Sequence, residues 1–323
     1  HWIVAPVLVP ALTGVLLLFA ARGSLAMRRG LSLLSMLVQL GVAVALLRAA
    51  AAGPVEVYGL GNWPVPFGII LVLDRLSALM VLLTAVVGLG SLVYASREWD
   101  ERGRNFHALF HFQLMGLSGA FLTGDVFNLF VFFEVLLIAS YGLLLHGGGR
   151  ERLKAEIHYV VINLLGSALF LVGLAILYGS VGSLNLAHIA TRIPTLDPAL
   201  LPLARTAGWV LLVVFAIKAA AVPLYFWLPQ AYAAASAPVA ALFAIMTKVG
   251  VYAILRVFAI RMLEGEGFDV VAFTNGSEAA DYYDEHHTGI DAVLLDLVMP
   301  EMGGHETFQR IRAANADARI IIA

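Results

Sequence analysis

The feature that most constrains the fold is a series of apolar runs, each long enough to cross a bilayer. About 20 predominantly apolar residues span the hydrocarbon core as an α-helix. By this measure the sequence predicts eight spans, which are Trp2–Ala21, Leu31–Ala51, Leu76–Ser96, His107–Leu122, Phe127–Leu145, Ile157–Tyr178, Gly208–Trp227 and Val239–Ile260. The chain is 61% hydrophobic and 13% charged, whereas soluble domains average about 45–50% and about 25%. We therefore expect a polytopic membrane helix bundle.

Several classes of site are excluded by composition. The chain has no cysteine, which excludes disulfides, thiolate metal sites and cysteine nucleophiles. Its nine histidines show no metal-ligand spacing of the His-Glu-x-x-His kind, so we expect no metal or cofactor in the membrane part. Glycines and prolines predict an exposed loop from Gly53 to Gly68. The chain begins at His1, so we expect the native N-terminus to be missing and the first run to be a true span.

Basic residues in the connections predict the orientation. Nine lie in the odd-numbered connections and four in the even-numbered ones. The positive-inside rule then places the odd-numbered connections in the cytoplasm and the N-terminus outside. We expect a multi-pass protein of the bacterial inner membrane, and eight spans return the chain to the outside after Ile260.

Two lysines and one acid fall inside predicted spans: Lys218, Lys248 and Glu134. A lysine or an acid at the centre of a membrane helix costs roughly 2.5–3.5 kcal/mol on insertion scales, so such groups pair with one another or contact water. Their protonation responds to nearby charge, which is the chemistry that a proton relay needs. The alternative is that the two lysines snorkel to an interface.

A helix break is predicted beside Lys218. Pro223 removes a backbone donor to the carbonyl of Ala219. Irregular backbone at membrane depth is tolerated where it lines a cavity, and broken helices recur at transporter ion sites. We therefore predict that the seventh span is broken at a functional position.

Three further polar residues are candidate accessory groups: Asp74, His111 and His158. Asp74 begins the third span and is alternatively an interfacial residue. The two histidines, together with Asn163, either extend a water wire or serve in packing.

Four segments resemble the proton-translocating antiporter family. They are Asp74–Leu79, Phe133–Tyr141, Ile217–Pro229 and Thr247–Ala253. The family includes the antiporter-like subunits of respiratory complex I and of Mrp-type multisubunit cation/proton antiporters. Gly61–Pro64, Phe121–Asp125, Leu177–Gly179 and Leu184–Asn185 resemble the Mrp D subunits more closely. The resemblance covers about residues 1–258.

The resemblance implies a subunit of a multisubunit monovalent cation (Na⁺ or K⁺)/proton antiporter. It further implies the partners of the chain, which are other antiporter subunits, H⁺, Na⁺ or K⁺, and the lipid membrane. Nucleic acid is not an expected partner. Glu134 would pair with Lys218, and Lys248 would carry the proton onward. The family has a second, inverted set of spans, so we expect the chain to be incomplete or a chimera. An alternative is a proton-pumping subunit of an NADH-quinone oxidoreductase without its own redox centre.

The composition changes after Ile260 to an acidic α/β pattern. It predicts strands at Asp269–Phe273, Ala292–Leu295 and Arg319–Ala323, and helices at Ser277–His286 and Gly304–Ala313. We therefore expect an antiporter-like domain over residues 1–260 and a second domain over residues 261–323.

The segment Val293–Gly304 resembles the phospho-acceptor loop of response-regulator receiver domains, which have a flavodoxin-like fold. The resemblance implies that Asp296 accepts a phosphoryl group. It also implies a histidine kinase as a partner, provided that the second domain, residues 261–323, folds. An intact receiver domain binds Mg²⁺, but its first strand and acidic pair have no counterpart here. The alternative function is thus a membrane-tethered, phospho-accepting response regulator.

Overall fold

The computed structural model describes residues 2–64, 66–258, 271, 273, 276–290, 293–295, 304–316, 318 and 320–322. The chain separates into two compact units, His1–Arg261 and Met262–Ala323. The first unit is a helix bundle and the second is a small α/β unit.

Ten α-helices are described in the first unit. They are α1 (Ala5–Phe19), α2 (Leu25–Ala52), α3 (Arg75–Ala95), α4 (Phe106–Leu122), α5 (Val126–Leu144), α6 (Arg150–Val181), α7 (Leu186–Arg192), α8 (Leu201–Ala219), α9 (Leu228–Ala234) and α10 (Ala237–Phe258). Within the described residues, seven helices are long and apolar enough to cross a membrane, and the shorter α4 is also apolar. These eight helices correspond to the eight predicted spans, so the polytopic membrane fold is confirmed.

The 17-residue α4 lies inside the bundle, where it packs against α1, α3 and α5. Its glycines permit this close approach, since a Cβ at Gly119 would lie 2.1 Å from the ring of Phe132 on α5. His111 and Gln113, which dilute the apolar run, are both fully buried. Neighbouring helices thus surround α4, which explains how this short helix accommodates polar side chains.

The predicted loop from Gly53 to Gly68 contains a strand, so that prediction is wrong in part. Strand β1 (Glu56–Gly59) pairs antiparallel with β2 (Ile70–Leu73), with Glu56 opposite Leu73. Val57 and Tyr58 favour extended backbone, and the pairing satisfies main-chain groups that a loop would expose to water.

Polar side chains fix the first turns of several helices by accepting hydrogen bonds from backbone N–H groups. Ser24 caps α2, Asp74 caps α3, Asp125 caps α5 and Asn185 caps α7. An antiparallel bridge joins Asp125 to Asn185 and ties the starts of α5 and α7 together.

The predicted span Gly208–Trp227 is wrong at both ends, but its break is confirmed. Helix α8 begins at Leu201 and ends at Ala219, one residue after Lys218. Ala220 adopts a left-handed conformation with φ of 54°, and the Ala221 N–H donates to the carbonyl of Ala216 at 2.9 Å. The chain then turns irregularly through residues 220–227 before α9 begins.

The second unit contains helices Gly276–His286 and Gly304–Ala314 and strands β3 (Val293–Leu295) and β4 (Ile320–Ile322). The strands pair in parallel, with Val293 opposite Ile320, and Tyr283, Ile311 and Ala318 form a buried cluster beside them. Both predicted helices and the last two predicted strands are confirmed. Most of the predicted strand Asp269–Phe273 lies outside the described residues, as does Asp296.

Candidate functional site

Lys218 lies in the last turn of α8, immediately before the break, with 3% of its surface exposed. It cannot snorkel from this position, because α6 and α10 pack against the end of α8. A side chain this buried requires polar partners inside the bundle.

Those partners come from α6. The ammonium of Lys218 donates to the carbonyl oxygen of Asn163 at 3.1 Å and to the hydroxyl oxygen of Ser167 at 3.2 Å. The amide oxygen of Asn163 lies 3.4 Å from the same nitrogen. Asn163 and Ser167 are four residues apart and share one face of the helix.

Ser167 also connects Lys218 to Glu134. Its hydroxyl donates to Oε1 of Glu134 on α5 while accepting from Lys218. The ammonium, the hydroxyl and the carboxylate thus form a continuous donor-to-acceptor chain across three helices. Two opposite charges joined through one hydroxyl offset part of the cost of burying each of them. This chain can pass a proton by exchanging the hydrogen bonds of Ser167.

The break beside Lys218 is held by specific contacts. The indole N–H of Trp227 donates to the carbonyl of Ile217 at 2.9 Å, and the same carbonyl accepts from the N–H of Ala220 at 3.1 Å. Trp227 is buried, and its ring lies 5.3 Å from that of Tyr159. On the other side, a Cβ at Gly250 of α10 would lie 2.4 Å from the backbone nitrogen of Ala219. The irregular backbone is therefore packed in place from two directions.

The third predicted relay residue lies elsewhere. Lys248 is exposed on α10, two residues before Gly250. Among the residues that the structure describes, no hydrogen bond or ion pair joins it to Lys218 or Glu134. The structure therefore brings together Glu134 and Lys218 of the predicted relay, and Lys248 remains separate from them.

The accessory candidates are also apart from this cluster. His158 is half-buried on α6. His111 is fully buried on α4, and neither of its ring nitrogens has a partner within the described part of the chain. Asp74 caps α3 and forms an ion pair with Arg256 of α10.

The Asp74–Arg256 pair belongs to a separate network. Nε of Arg256 donates to the hydroxyl of Tyr252 at 2.7 Å, and that hydroxyl donates to the carbonyl of Phe121 at 2.6 Å. Ends of α3, α4 and α10 are thereby tied together.

Several polar residues were missed by sequence reasoning. Ser167 was not singled out, and Asn163 was named without its lysine partner. Glu156 lies one residue before the predicted sixth span, yet the structure places it inside α6 with 7% of its surface exposed. The signal was present in the sequence, because residues 156, 159, 163 and 167 recur at helical spacing along one face.

A half-buried ion pair joins Arg29 of α2 to Asp100 in the connection after α3. The guanidinium of Arg29 donates to both oxygens of Asp100 at 2.7 Å, and His107 lies 3.1 Å from the same carboxylate. Burial raises the pKa of the Asp100 carboxyl, but the hydrogen bonds and charge of Arg29 outweigh burial and hold that pKa below its ordinary value.

In the second unit, Arg310 donates to Asp281 at 2.6 Å and to Asp284 at 2.7 Å, which joins the two helices. The predicted phospho-acceptor, Asp296, falls outside the described residues. No cluster of histidine and acidic side chains suited to a metal ion occurs in the described ranges.

Comparison with protein families matches two different parts of the chain. Residues 123–273 match the family described as NADH:quinone oxidoreductase/Mrp antiporter, TM. Residues 253–323 match the response regulator receiver domain, so the two matches overlap after residue 252.

Similar proteins match the membrane part. The D subunit of a probable K(+)/H(+) antiporter of Rhizobium meliloti is 48% identical over 261 residues, which cover 79% of this chain and 48% of that protein. The D subunit of a Na(+)/H(+) antiporter of Alkalihalophilus pseudofirmus is 41% identical over 270 residues, covering 82% and 54%. The chain thus spans about half the length of the curated relatives it matches.

A solved structure, that of the Mrp complex from Dietzia sp., contains a chain with the same fold. It superposes with a TM-score of 0.73 at 29% identity, covering 97% of this chain and 58% of that one. The fold of this chain therefore has a counterpart in a chain of that Mrp complex.

Proposed function

We propose that this chain, whose membrane-spanning part belongs to the NADH:quinone oxidoreductase/Mrp antiporter family, moves protons within a multisubunit monovalent cation/proton antiporter. The observation that carries the proposal is the hydrogen-bonded chain Lys218–Ser167–Glu134 beside the end of α8, in which Lys218 and Ser167 are buried. The relatives named as D subunits of antiporters support the exchange of protons for K⁺ or Na⁺.

In the proposed mechanism, the proton is stored on Lys218 and released when its contact with Glu134 through Ser167 changes. A protonated Lys218 donates to Ser167, which stabilises the charge of Glu134. If Ser167 rotates away, Lys218 loses part of that stabilisation and gives up its proton. Lys248, exposed on α10, is the proposed acceptor further along. The broken helix supplies irregular backbone that can rearrange without unwinding a whole span.

The proposed setting is a bacterial inner membrane with the N-terminus outside, as the distribution of basic residues favours. The proposed partners are the other subunits of the antiporter, H⁺, Na⁺ or K⁺, and the surrounding lipid. The exchanged cation stays open, because the two relatives are named for different cations.

The test is a measurement of cation-dependent ΔpH in inverted membrane vesicles. The chain is expressed with companion antiporter subunits in a host without other monovalent cation/proton antiporters. We expect Lys218→Ala to abolish the ΔpH signal, since it removes the ammonium from the buried chain. The matched control is Lys154→Ala, whose side chain is 60% exposed and pairs only with Glu151 in the described residues.

The control should leave the signal unchanged. Equal signals from the two variants and the wild type would remove Lys218 from the mechanism. If the wild-type chain itself gives no cation-dependent ΔpH, the antiporter assignment fails.

For the second unit we propose phosphorylation at Asp296, because residues 253–323 match a receiver domain. Incubation with acetyl phosphate and Mg²⁺ should add one phosphoryl group that is lost in Asp296→Asn. Labelling that persists in this variant would exclude Asp296 as the acceptor.

A further inference from the structure

One face of α6 carries a stripe of buried polar side chains that extends beyond the site described above. Glu156, Tyr159, Asn163 and Ser167 are between 0% and 7% exposed and follow helical spacing. Asn163 and Ser167 hold Lys218, so the stripe connects the buried lysine to the N-terminal end of α6.

Glu156 has the unusual position in this stripe. Its Oε2 is buried, and no hydrogen-bond partner for it occurs among the described residues. Buried polar atoms are almost always satisfied by protein or by ordered water, and an unpaired carboxylate at such a place is costly. A carboxyl group with this environment either binds water or exists in its protonated form.

The expected structural partner of Glu156 is bound to other groups. Arg152, one turn earlier, is placed for an i,i+4 ion pair with Glu156. Its Nε donates instead to the carbonyl of Ala234 at 3.1 Å, and its terminal nitrogen donates to the carbonyl of His146. Arg152 therefore ties the start of α6 to the end of α9 and to the connection after α5, and it leaves the carboxyl unneutralised.

The stripe spans the distance from the surface of the bundle to Lys218. At 1.5 Å per residue, Glu156 lies about 9 Å from the start of α6 and about 10 Å from Asn163 along the helix axis. About three water molecules joined by hydrogen bonds of about 2.8 Å bridge such a gap, and buried water is held where polar groups line the space. The positive-inside rule assigns this end of α6 to the cytoplasm, because Arg150, Arg152 and Lys154 lie there.

We infer that Glu156 is the proton-uptake group that exchanges protons between cytoplasmic water and Lys218. In the uptake step, hydronium protonates the carboxylate of Glu156 and leaves water. In the transfer step, the O–H of Glu156 gives its proton through bridging water to the free amine of Lys218, which becomes the ammonium while Glu156 returns to the carboxylate. The inference rests on the proposed function and deepens it by assigning the group that supplies Lys218.

The transport test compares Glu156→Gln with Glu151→Gln in the vesicle assay. The first variant keeps the size of the side chain and removes its titration. The second alters an acid on the same helix that is 83% exposed and serves as the matched control. We expect Glu156→Gln to slow the initial rate of ΔpH formation about 100-fold, because a positioned acid or base contributes about 10²–10⁴-fold to proton transfer. Glu151→Gln should keep the wild-type rate, and Glu156→Asp should recover part of the loss.

A purely structural role is separated by chemical rescue. Small weak acids such as azide and formate should restore transport in Glu156→Gly, because they carry protons into the space that the side chain leaves. Each rate is divided by the amount of assembled complex measured by native electrophoresis. A Glu156→Gln variant that assembles poorly but transports at the wild-type rate per complex would overturn the inference, as would a Glu156→Gly variant that neither acid restores.

A second measurement does not depend on transport. Dicyclohexylcarbodiimide modifies protonated carboxyl groups in apolar surroundings, and the tryptic fragment 155–192 contains Glu156 as its only acid. We expect labelling of this fragment in the wild-type chain and none in Glu156→Gln. An unlabelled wild-type fragment would contradict a buried, protonatable carboxyl.

The two levels of the hypothesis fail differently. If Lys218→Ala abolishes the signal and Glu156→Gln does not change it, only the uptake role is wrong. If Lys218→Ala leaves the signal intact, the proposed function itself fails.

Discussion

Replacing Gly250 with alanine tests how closely α10 packs against the helix break. The added Cβ would lie 2.4 Å from the nitrogen of Ala219, 2.7 Å from its Cα and 2.8 Å from the carbonyl carbon of Lys218. Ordinary contacts between such atoms are about 3.5–4.0 Å, so α10 has to move by roughly 1 Å. The atoms in conflict are all backbone, and no side-chain rotation can relieve the contact.

The free energy follows from two opposing effects. Alanine favours a helix over glycine by about 1 kcal/mol, whereas inserting a carbon into a packed interior costs about 1–3 kcal/mol. Gly41→Ala is the matched control, because a Cβ at Gly41 of α2 meets nothing within 4 Å. Relative to this control, Gly250→Ala should lower the free energy of unfolding by about 1–3 kcal/mol.

The assay is thermal unfolding of the purified chain in detergent, followed by circular dichroism. At about 2–4 °C per kcal/mol for a chain of this size class, the midpoint of Gly250→Ala should lie roughly 5 °C below that of Gly41→Ala. Gly250→Ala should also slow ΔpH formation, since the shift displaces the backbone that carries Lys218. Equal midpoints for the two variants would refute the close packing of α10 on the break.

Three further predictions concern single contacts. Trp227→Phe removes one of the two hydrogen bonds to the carbonyl of Ile217, which keeps the one from Ala220, and should cost about 0.5–1.5 kcal/mol of stability in the same melt. Trp209→Phe should change little, since Trp209 is 57% exposed. Ser167→Ala removes the hydroxyl between Lys218 and Glu134 and should slow ΔpH formation, whereas Ser167→Thr, which keeps a hydroxyl, should retain most of the rate. Asp100→Asn breaks the ion pair with Arg29, whose side chain is 30% exposed, and should cost about 1.5–3 kcal/mol at pH 7. Because the folded-state pKa of Asp100 lies below its ordinary value of 3.8, wild-type stability should fall as the pH drops below about 4, and this fall should be weaker in the variant.

The spans and the break could be predicted from the sequence because each depends on local composition. A run of about 20 apolar residues is the length that crosses the hydrocarbon core of a bilayer as an α-helix, so it predicts a membrane span directly. Pro223 close behind a buried lysine predicted the irregular backbone that begins at Ala220. The predicted bounds of the seventh span were wrong. Residues 220–227 continue the apolar run in the sequence, but helix α8 ends before them.

The partners of Lys218 could not be predicted in the same way. Asn163 and Ser167 are ordinary polar residues within an apolar run, and their role depends on how α6 is rotated against α5 and α8. That rotation is set by contacts between distant parts of the chain. Glu156 fell one residue outside the predicted sixth span, because an apolar run marks only the part of a helix that crosses the hydrocarbon core. Helix α6 is longer than that run, since it begins at Arg150.

The end of α8 also explains why a lysine is suited to this position. Burial disfavours the ammonium form, while the C-terminal end of a helix and the carboxylate of Glu134 favour it. The break places the C-terminal end of α8 inside the bundle. The partial negative charge of that helix end therefore acts on the ammonium of Lys218, where the free-energy penalty of burying a charge is large. Gly250 and Trp227 hold that terminus in place. We propose that these opposing effects leave the charge of Lys218 sensitive to one hydroxyl, that of Ser167, which is the property that the proposed proton relay requires.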